Sequence, residues 1–286
     1  MYNRGVKYDI FVTNIDTCED NMTRTISASM AVVLEMLELE RPTIVTSQKL
    51  SGILNDAGIQ TPARIVADRL RKKGWLLPTA KPGAWEFVPA SSAGVFSSND
   101  PLLVVKSLIS KHPAICFGLT FQAAAWMHGV ADRVPARLEC ATENIQSSRL
   151  ISNRMSASMF SPRLAYKELR GVPVLAPESV IVHMAEKPRA VRSWQSALEW
   201  LPDLAELLTV ELLLEEVATR SGASKARTGY LLQGMRPDIS DALYELDMPK
   251  YKTWFGPRAP LLRHDSKWLV ADTMLPFSPS KVGATK

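Results

Sequence analysis

One short stretch of the sequence concentrates positive charge. Between residues 61 and 81 there are six basic residues and one acid, Asp68, so the local formal charge is six minus one, or +5. Guanidinium and ammonium groups spaced along a helix can neutralise DNA phosphates, and arginine can also pair with a guanine edge. These residue types predict a contact with double-stranded DNA. The six basic residues are Arg64, Arg69, Arg71, Lys72, Lys73 and Lys81.

The chemistry of each side chain suggests its role. Arg64 and Arg71 are the best candidates for base or phosphate contacts in the major groove, and Asp68 could accept a hydrogen bond from a cytosine amine. The other members of the predicted DNA-binding set contact the backbone or the flanks: Arg69, Lys72 and Lys73 on phosphates, Lys81 at a minor groove or flanking phosphate, and Ser47 and Thr61 at the helix starts.

Two short helices joined by a tight turn would present these groups. Apolar residues at 50, 53, 54 and 57 form one helical stripe after a cap at Thr46 or Ser47, and Gly58 ends that helix. The second helix is expected to have Thr61 as N-cap and Pro62 at its first position, and to end near Lys73. Its predicted inner face is Val66 and Leu70, whereas Ala67 is expected to point outward with the charged residues.

A β-hairpin follows the second helix. The segments 75–77 and 85–88 are predicted strands around the turn Lys81-Pro82-Gly83, with Trp75 and Trp85 as its hydrophobic filling. A helix beginning at Ser27 and a short strand at 43–45 precede the basic unit. Together these elements predict a winged helix-turn-helix domain over residues 22–92. Residues 1–21 show no reliable period and form an uncertain extension, so Met22 could be the true start.

Residues 91–94 and 97–101 are rich in small and turn-forming residues and predict a linker. Beyond it, residues 100–286 are expected to form a larger mixed α/β, helix-rich domain with a proline-rich tail, which makes the fold class α+β. Strands are predicted at 137–142, 172–175 and 267–270. Helices are predicted at 101–109, 120–128, 178–186, 193–207, 210–220 with Gly222 as its stop, and 224–233.

A second basic surface is possible in this larger domain. Residues 146–167 contain four basic residues and no acid. Such a run is usually a solvated face, and its functional alternative is a surface that contacts phosphate or RNA. The four residues are Arg149, Arg154, Arg163 and Lys167.

The sequence offers little support for catalysis, a metal or a cofactor. The four histidines lack metal-ligand spacing, and there is no GxSxG or phosphate-loop motif. Glu139 is the only acid on a predicted strand of the larger domain, and it would be the first suspect of a metal-dependent enzyme. The three cysteines are far apart and odd in number, which argues against disulfides and zinc and favours a reducing cytoplasm. No apolar run approaches the roughly 20 residues that cross a bilayer. We therefore predict no enzyme activity, no cofactor, no metal and no membrane partner.

The order of several motifs resembles a known family. After the winged helix come Trp126-Met127-His128-Gly129, then 171–174 leading through Pro177-Glu178 into a helix, then the segment 225–232. This order is similar to that of the AbiEi-type antitoxins of bacterial abortive-infection systems, over most of residues 22–245. Where the family has an arginine and an apolar-Asp pair after Pro-Glu, this chain has Ser179 and His183.

The resemblance implies a protein whose winged helix represses its own operon from its own promoter. It also implies that the second domain opposes a nucleotidyltransferase-like toxin, without requiring a stable complex. Two other functions remain open from the sequence. One is a winged-helix regulator whose second domain senses a small molecule, and the other is a nucleic-acid-processing enzyme targeted by its winged helix.

Overall fold

The computed structural model describes residues 26, 28–79, 81–90, 100–151 and 155–283. The predicted N-terminal extension, Met22, Arg154 and most of the predicted linker lie outside these residues. The described chain has two hydrophobic cores, one built from residues between 30 and 87 and the other from residues between 102 and 275. Helices and sheets both contribute to the larger core, so the protein is α+β.

The N-terminal unit has three helices and a three-stranded antiparallel sheet. The strands lie in the order β1-β3-β2, so β1 pairs with the hairpin that follows the third helix. This is the order of elements expected for a winged helix-turn-helix. The elements are α1 (Ala28–Glu40), β1 (Ile44–Thr46), α2 (Ser47–Asp56), α3 (Ala63–Lys72), β2 (Leu76–Pro78) and β3 (Ala84–Phe87).

Local capping explains where α2 begins and ends. The Thr46 hydroxyl accepts a hydrogen bond from the Lys49 amide at 3.1 Å, which satisfies one free donor of the first turn. Gly58 has a φ of +65°, the left-handed conformation that ends many helices. Both features agree with the sequence prediction for this helix.

The start of α3 differs from the prediction, because Pro62 rather than Thr61 is the N-cap. Pro62 has a ψ of 136°, which lies outside the helical region, while its carbonyl accepts from the Ile65 and Val66 amides. The proline is therefore the last extended residue, and the helix begins one residue later, at Ala63.

The buried face of α3 is wider than predicted. Val66 and Leu70 are fully buried as expected, but Ala67 is also buried, with 1% exposure. The reason is that α3 packs against α2 on one side and against β2 on the other. The expectation that Ala67 points outward was wrong.

The second unit is organised by a mixed five-stranded sheet. Its strand order is β6-β5-β4-β8-β7, with parallel pairs β4–β8 and β5–β6 and antiparallel pairs β4–β5 and β7–β8. The strands are β4 (Gly118–Leu119), β5 (Leu138–Thr142), β6 (Met155–Met159), β7 (Lys167–Leu169) and β8 (Val172–Val174).

Nine helices accompany this sheet in the described residues. One of them, α7, is buried along nearly its whole length and packs against α5, α9, α10 and α11. The helices are α4 (Leu103–Lys111), α5 (Phe121–Met127), α6 (Ile145–Ile151), α7 (Pro177–Glu186), α8 (Trp194–Ala197), α9 (Leu201–Glu206), α10 (Val210–Val217), α11 (Gly222–Leu232) and α12 (Pro237–Leu246).

Two helix predictions in this unit were wrong. The single helix predicted over 193–207 is two helices, α8 and α9, with Pro202 in the first turn of α9. Gly222 does not stop a helix but begins α11, because the Ser221 hydroxyl caps that helix by accepting from the Ser224 amide at 3.2 Å.

The last part of the chain adds a second three-stranded sheet. Its order is β10-β11-β9, with β9 parallel and β10 antiparallel to β11. The sequence predicted one strand here, at 267–270, whereas β11 begins at Val270 and has two partners. The elements are β9 (Thr253–Phe255), β10 (Arg263–Asp265), β11 (Val270–Asp272) and a short 3₁₀ helix (Pro279–Lys281).

Candidate nucleic-acid interface

The position of α3 is fixed by its apolar face. Val66 and Leu70 are fully buried in the N-terminal core, together with Leu50 and Ile53 of α2. Full burial of one such side chain contributes roughly 1.5–3 kcal/mol. Because this face is held inside, the opposite face of α3 is presented to solvent in a defined orientation.

Two arginines on α3 are unengaged cations. Arg64 and Arg69 are both exposed, and neither forms an ion pair with a residue of the described ranges. They lie along an open groove between α3 and the wing, which Trp85 of β3 and Ile65 also line. A groove with free guanidinium groups can accept a phosphate backbone or a base edge.

Asp68 holds two of the other cations on this helix. Its carboxylate accepts from Arg71 at 3.1 Å and from Lys72 at 2.9 Å. The hydrogen bond from Lys72, followed by that from Arg71, lowers the pKa of Asp68, so this carboxylate stays ionised at neutral pH. Since both oxygens are engaged, the role predicted for Asp68 at a cytosine amine requires that at least one ion pair opens.

The wing is tied to the second unit at its tip. The Lys81 ammonium donates to the Leu150 carbonyl at 2.8 Å, at the end of α6. Helix α4 also packs against β1 and β3. Lys81 is therefore engaged within the chain, and the role expected for it at a minor groove or flanking phosphate needs this bond to open.

The tryptophans occupy the positions expected for hairpin filling. Trp75 is buried in the N-terminal core, and Trp85 is partly buried against the same core. Trp85 in addition borders the groove beside α3.

The remaining predicted contacts lie around α3. Ser47, exposed at the start of α2, donates its hydroxyl to the Gly83 carbonyl at 3.4 Å and so links α2 to the wing turn. Thr61 lies in the turn before α3 and is partly exposed, and Lys73 follows the last turn of α3. The structure thus brings the predicted residues into one region, and Arg64, Arg69 and Lys73 form no salt bridge with any residue that the structure describes.

The second predicted basic surface is not one compact patch. Arg149 lies on α6, which packs on β6 and β5 at one edge of the five-stranded sheet, whereas Lys167 lies on β7 at the opposite edge. Four strand spacings of about 4.8 Å separate these edges. Arg163 lies between them in sequence and donates to the Thr219 hydroxyl at 2.9 Å. The run 146–167 overlaps α6, β6 and the start of β7, and these elements place its basic residues on different parts of the sheet.

A family model matches the central part of the chain. Residues 114–234 match the AbiEi antitoxin C-terminal domain. The AbiEi similarity thus covers residues 114–234, less than half of the chain, and this segment is its AbiEi domain. This match includes the five-stranded sheet and the helices from α5 to α11.

Comparison with solved structures supports the overall fold. The chain is similar to the RV2827C protein from Mycobacterium tuberculosis, whose crystal structure superposes with a TM-score of 0.74 at 23% sequence identity. The similarity covers 93% of this chain and 97% of that chain. A comparison with curated proteins gives no match.

Glu139, the only acid on a predicted strand of the larger domain, caps the first turn of α5 in the AbiEi domain. It is 4% exposed and accepts from the Ala123 amide at 3.3 Å, at the first turn of α5. Burial raises its pKa to about 7, against the lowering effect of the Ala123 amide. No group of three or more His, Cys, Asp or Glu side chains that could hold a metal occurs in the described part of the chain.

His183 forms the centre of a buried polar cluster in the AbiEi domain. Its Nδ1 lies 2.9 Å from the Thr120 hydroxyl and its Nε2 lies 3.0 Å from the Ser158 hydroxyl. The ring also stacks on Phe160 at 4.2 Å. Burial, reinforced by the charges of Lys187 and Arg220, lowers the pKa of His183 well below its usual value. The ring is therefore neutral and ties β6 to α5 and α7.

Ser179, the other departure from the family motif, also has a structural partner. Its hydroxyl donates to the Glu216 carboxylate at 2.7 Å, and that carboxylate also accepts from Arg220 at 2.6 Å. These contacts join α7 to α10. Sequence reasoning missed Glu216 because nothing near it in sequence marks it as buried.

No helix among the described residues is long and apolar enough to cross a membrane.

Proposed function

We propose that this protein is a cytoplasmic transcriptional autorepressor and antitoxin that counters a nucleotidyltransferase-like toxin and has no catalytic activity of its own. The AbiEi antitoxin domain supports the antitoxin role. The DNA-binding role is supported by one observation above others: α3 buries its apolar face and exposes two unengaged arginines, Arg64 and Arg69, along a groove beside the wing.

The electrostatics fit this proposal. Helix α3 carries four basic residues and one acid, a formal charge of four minus one, or +3. Asp68 offsets only one of these charges, but it engages two cations, because its carboxylate is bound to both Arg71 and Lys72. A duplex that reaches α3 therefore meets Arg64 and Arg69 first, and can recruit Arg71 and Lys72 by displacing Asp68.

The two activities can be separated by experiment. The full chain would be expressed with a reporter under its own promoter, and separately with the nucleotidyltransferase-like product of a neighbouring gene. We expect wild type to repress the reporter and to restore growth in the presence of the toxin. We expect Arg64→Ala with Arg69→Ala to lose repression and keep the growth rescue, because the two residues lie outside residues 114–234.

Failure of wild type to restore growth would contradict the antitoxin role. Repression that survives the double substitution would contradict the role given to α3. Asp56→Asn on α2 is a suitable control for expression and folding, because this acid is exposed and lies on a neighbouring helix.

A further inference from the structure

The small sheet that follows the AbiEi domain has one face turned away from the core. In β9, Thr253 and Phe255 are buried, and Trp254 between them is partly exposed. In β10, Arg263 donates to the buried Asp272 carboxylate at 2.8 Å. Because side chains alternate along a strand, Trp254 and the exposed His264 lie on the opposite, outward face.

The strand register places these two rings in one row. Trp254 is directly beside Ala271 of β11, and Ala271 is directly beside His264 of β10. The rings are thus two strands apart, about 10 Å at their backbones. Ala271 separates them and is fully buried, so the row exposes side chains only at its two edges, Trp254 on β9 and His264 on β10.

Basic residues lie before and after β9, at the Trp254 edge of this row. Lys252 lies on the same face as Trp254, with its ammonium 5.3 Å from the centre of the indole ring. Lys250 and Arg258 are exposed on either side of β9, and Tyr251 is 81% exposed. Lys250, Lys252 and Arg258 form no salt bridge with any residue that the structure describes.

We propose that the exposed surface around β9 binds single-stranded nucleic acid. It consists of the outward Trp254 and His264 and of the exposed residues next to β9, namely Tyr251, Lys250, Lys252 and Arg258. Unpaired bases can stack on exposed aromatic rings, and lysine and arginine next to those rings can bind the phosphates between the bases. The interleaving of rings and cations along residues 250–258 matches this chemistry, because a duplex keeps its base faces stacked inside. A site that binds a neutral or acidic protein partner would not need aromatic rings and cations in alternation.

This face is separate from the other proposed interface. It lies beyond residue 234, where the match to the antitoxin domain ends, and on a different sheet from the wing. The proposal therefore adds a second nucleic-acid site to the chain and does not depend on promoter binding by α3. Its ligand is RNA or single-stranded DNA, which share bases and phosphates.

The test is fluorescence anisotropy with the full chain and labelled 15-nucleotide probes of mixed sequence, one RNA and one DNA, in competition with a duplex of the same sequence. The background variant Arg64→Ala with Arg69→Ala removes the contribution of α3. We expect this background to bind at least one single-stranded probe, and Tyr251→Ala with Trp254→Ala to weaken that binding roughly tenfold. Tighter binding of the RNA probe or of the DNA probe identifies the natural source.

Two further variants serve as controls for folding and for net charge. Trp254→Phe retains a ring and should keep most of the affinity, which separates stacking from a folding defect. Lys267→Ala is the matched charge control for Lys252→Ala, because Lys267 belongs to the same region but is bonded to Asp241 at 2.6 Å. We expect Lys252→Ala to weaken binding more than Lys267→Ala does.

Several results would overturn the proposal. One is an affinity for single strands unchanged by Tyr251→Ala with Trp254→Ala. Another is equal competition by the duplex or by heparin, which has negative charge but no bases. Equal loss in Lys252→Ala and Lys267→Ala would also contradict it, because the contact would then reflect net charge alone.

Discussion

Asp68 determines how many positive charges on α3 are available to an anionic partner. Its carboxylate binds both Arg71 and Lys72, and all three side chains are largely exposed. Ion pairs at such exposed positions contribute little to stability. Their main effect here is on charge, because they keep two cations of α3 engaged until a stronger anion arrives.

Replacing Asp68 by asparagine should therefore strengthen DNA binding. With Arg71 and Lys72 released, we expect roughly a three- to tenfold higher affinity for duplex DNA at low salt, and a steeper fall of affinity with salt. The measurement is a salt titration of DNA binding by fluorescence anisotropy. Asp56→Asn makes the same charge change on α2 and should have a smaller effect. Equal effects of the two substitutions would show that Asp68 has no special role.

Glu139 makes stability depend on pH. Its carboxyl has a pKa of about 7 in the fold, above the value of 4.5 that it has when exposed. Between these two pH values the folded state holds the proton more tightly than the unfolded chain does. Stability should therefore fall as pH rises from 4.5 to about 7, and the loss should be complete above 7.

Glu139→Gln removes this ionisation and keeps an oxygen that can accept from the Ala123 amide. At pH 8 we expect the variant to be more stable than wild type by about 2–3 kcal/mol, and at pH 4.5 to be equal to it. Guanidinium unfolding followed by circular dichroism at both pH values measures the difference. Glu199→Gln, at an exposed position, should show no such pH-dependent gain. A constant difference between wild type and Glu139→Gln at both pH values would contradict the account.

The charged residues of the proposed DNA interface could be identified in the sequence, but their pairing could not. Six cations and one acid within 21 residues indicate a polyanion as partner. The bond from Lys81 to the Leu150 carbonyl joins residues 69 positions apart, and no local pattern predicts it. The burial of Glu139 and His183 likewise depends on which strands lie beside α5 and α7.

At the scale of elements, α11 connects the antitoxin domain to the C-terminal sheet. It packs against α7 and α12 and also against β9 and β11. Gly229 in this helix faces Trp268, whose side chain is fully buried, and an added Cβ at Gly229 would overlap the indole ring. The glycine is needed here for close packing and not for backbone conformation.

Gly229→Ala should accordingly destabilise the protein by about 1–3 kcal/mol, because overpacking displaces a large buried ring. Gly222→Ala is a matched control in the same helix, since an added Cβ there meets no atom within 4 Å. We expect this control to be neutral or slightly stabilising. Thermal melting of both variants tests the comparison, and equal melting temperatures would contradict the packing argument.

Some of the helices and strands could be predicted from the sequence. The helices at 121–127 and 177–186 have clear caps and stop signals, Thr120 with Gly129 and Pro177 with Lys187-Pro188, and both were predicted within one or two residues. In contrast, α6, β6 and β7, which overlap the basic run 146–167, were not predicted. β6 and β7 are edge strands of the sheet, so each needs fewer buried side chains and shows a weaker pattern.

At the scale of the whole molecule, the N-terminal unit and the antitoxin domain are joined by non-covalent contacts as well as by the polypeptide chain. α4 belongs to the larger core and also packs on β1 and β3 of the smaller unit. The wing tip adds the Lys81 bond to α6. The exposed face of α3 lies on the far side from the buried Val66 and Leu70 and remains open to a partner.

The most direct test of DNA binding by α3 is a footprint of the purified full chain on the DNA upstream of its own gene, at two salt concentrations with non-specific competitor. We expect one discrete protected site in wild type, with affinity that falls as salt rises, and a loss of at least roughly tenfold in Arg64→Ala with Arg69→Ala. Arg133→Ala with Arg189→Ala removes two exposed arginines elsewhere and should leave the footprint intact. No protected site in wild type, or the same site protected equally by the α3 double variant, would contradict the account.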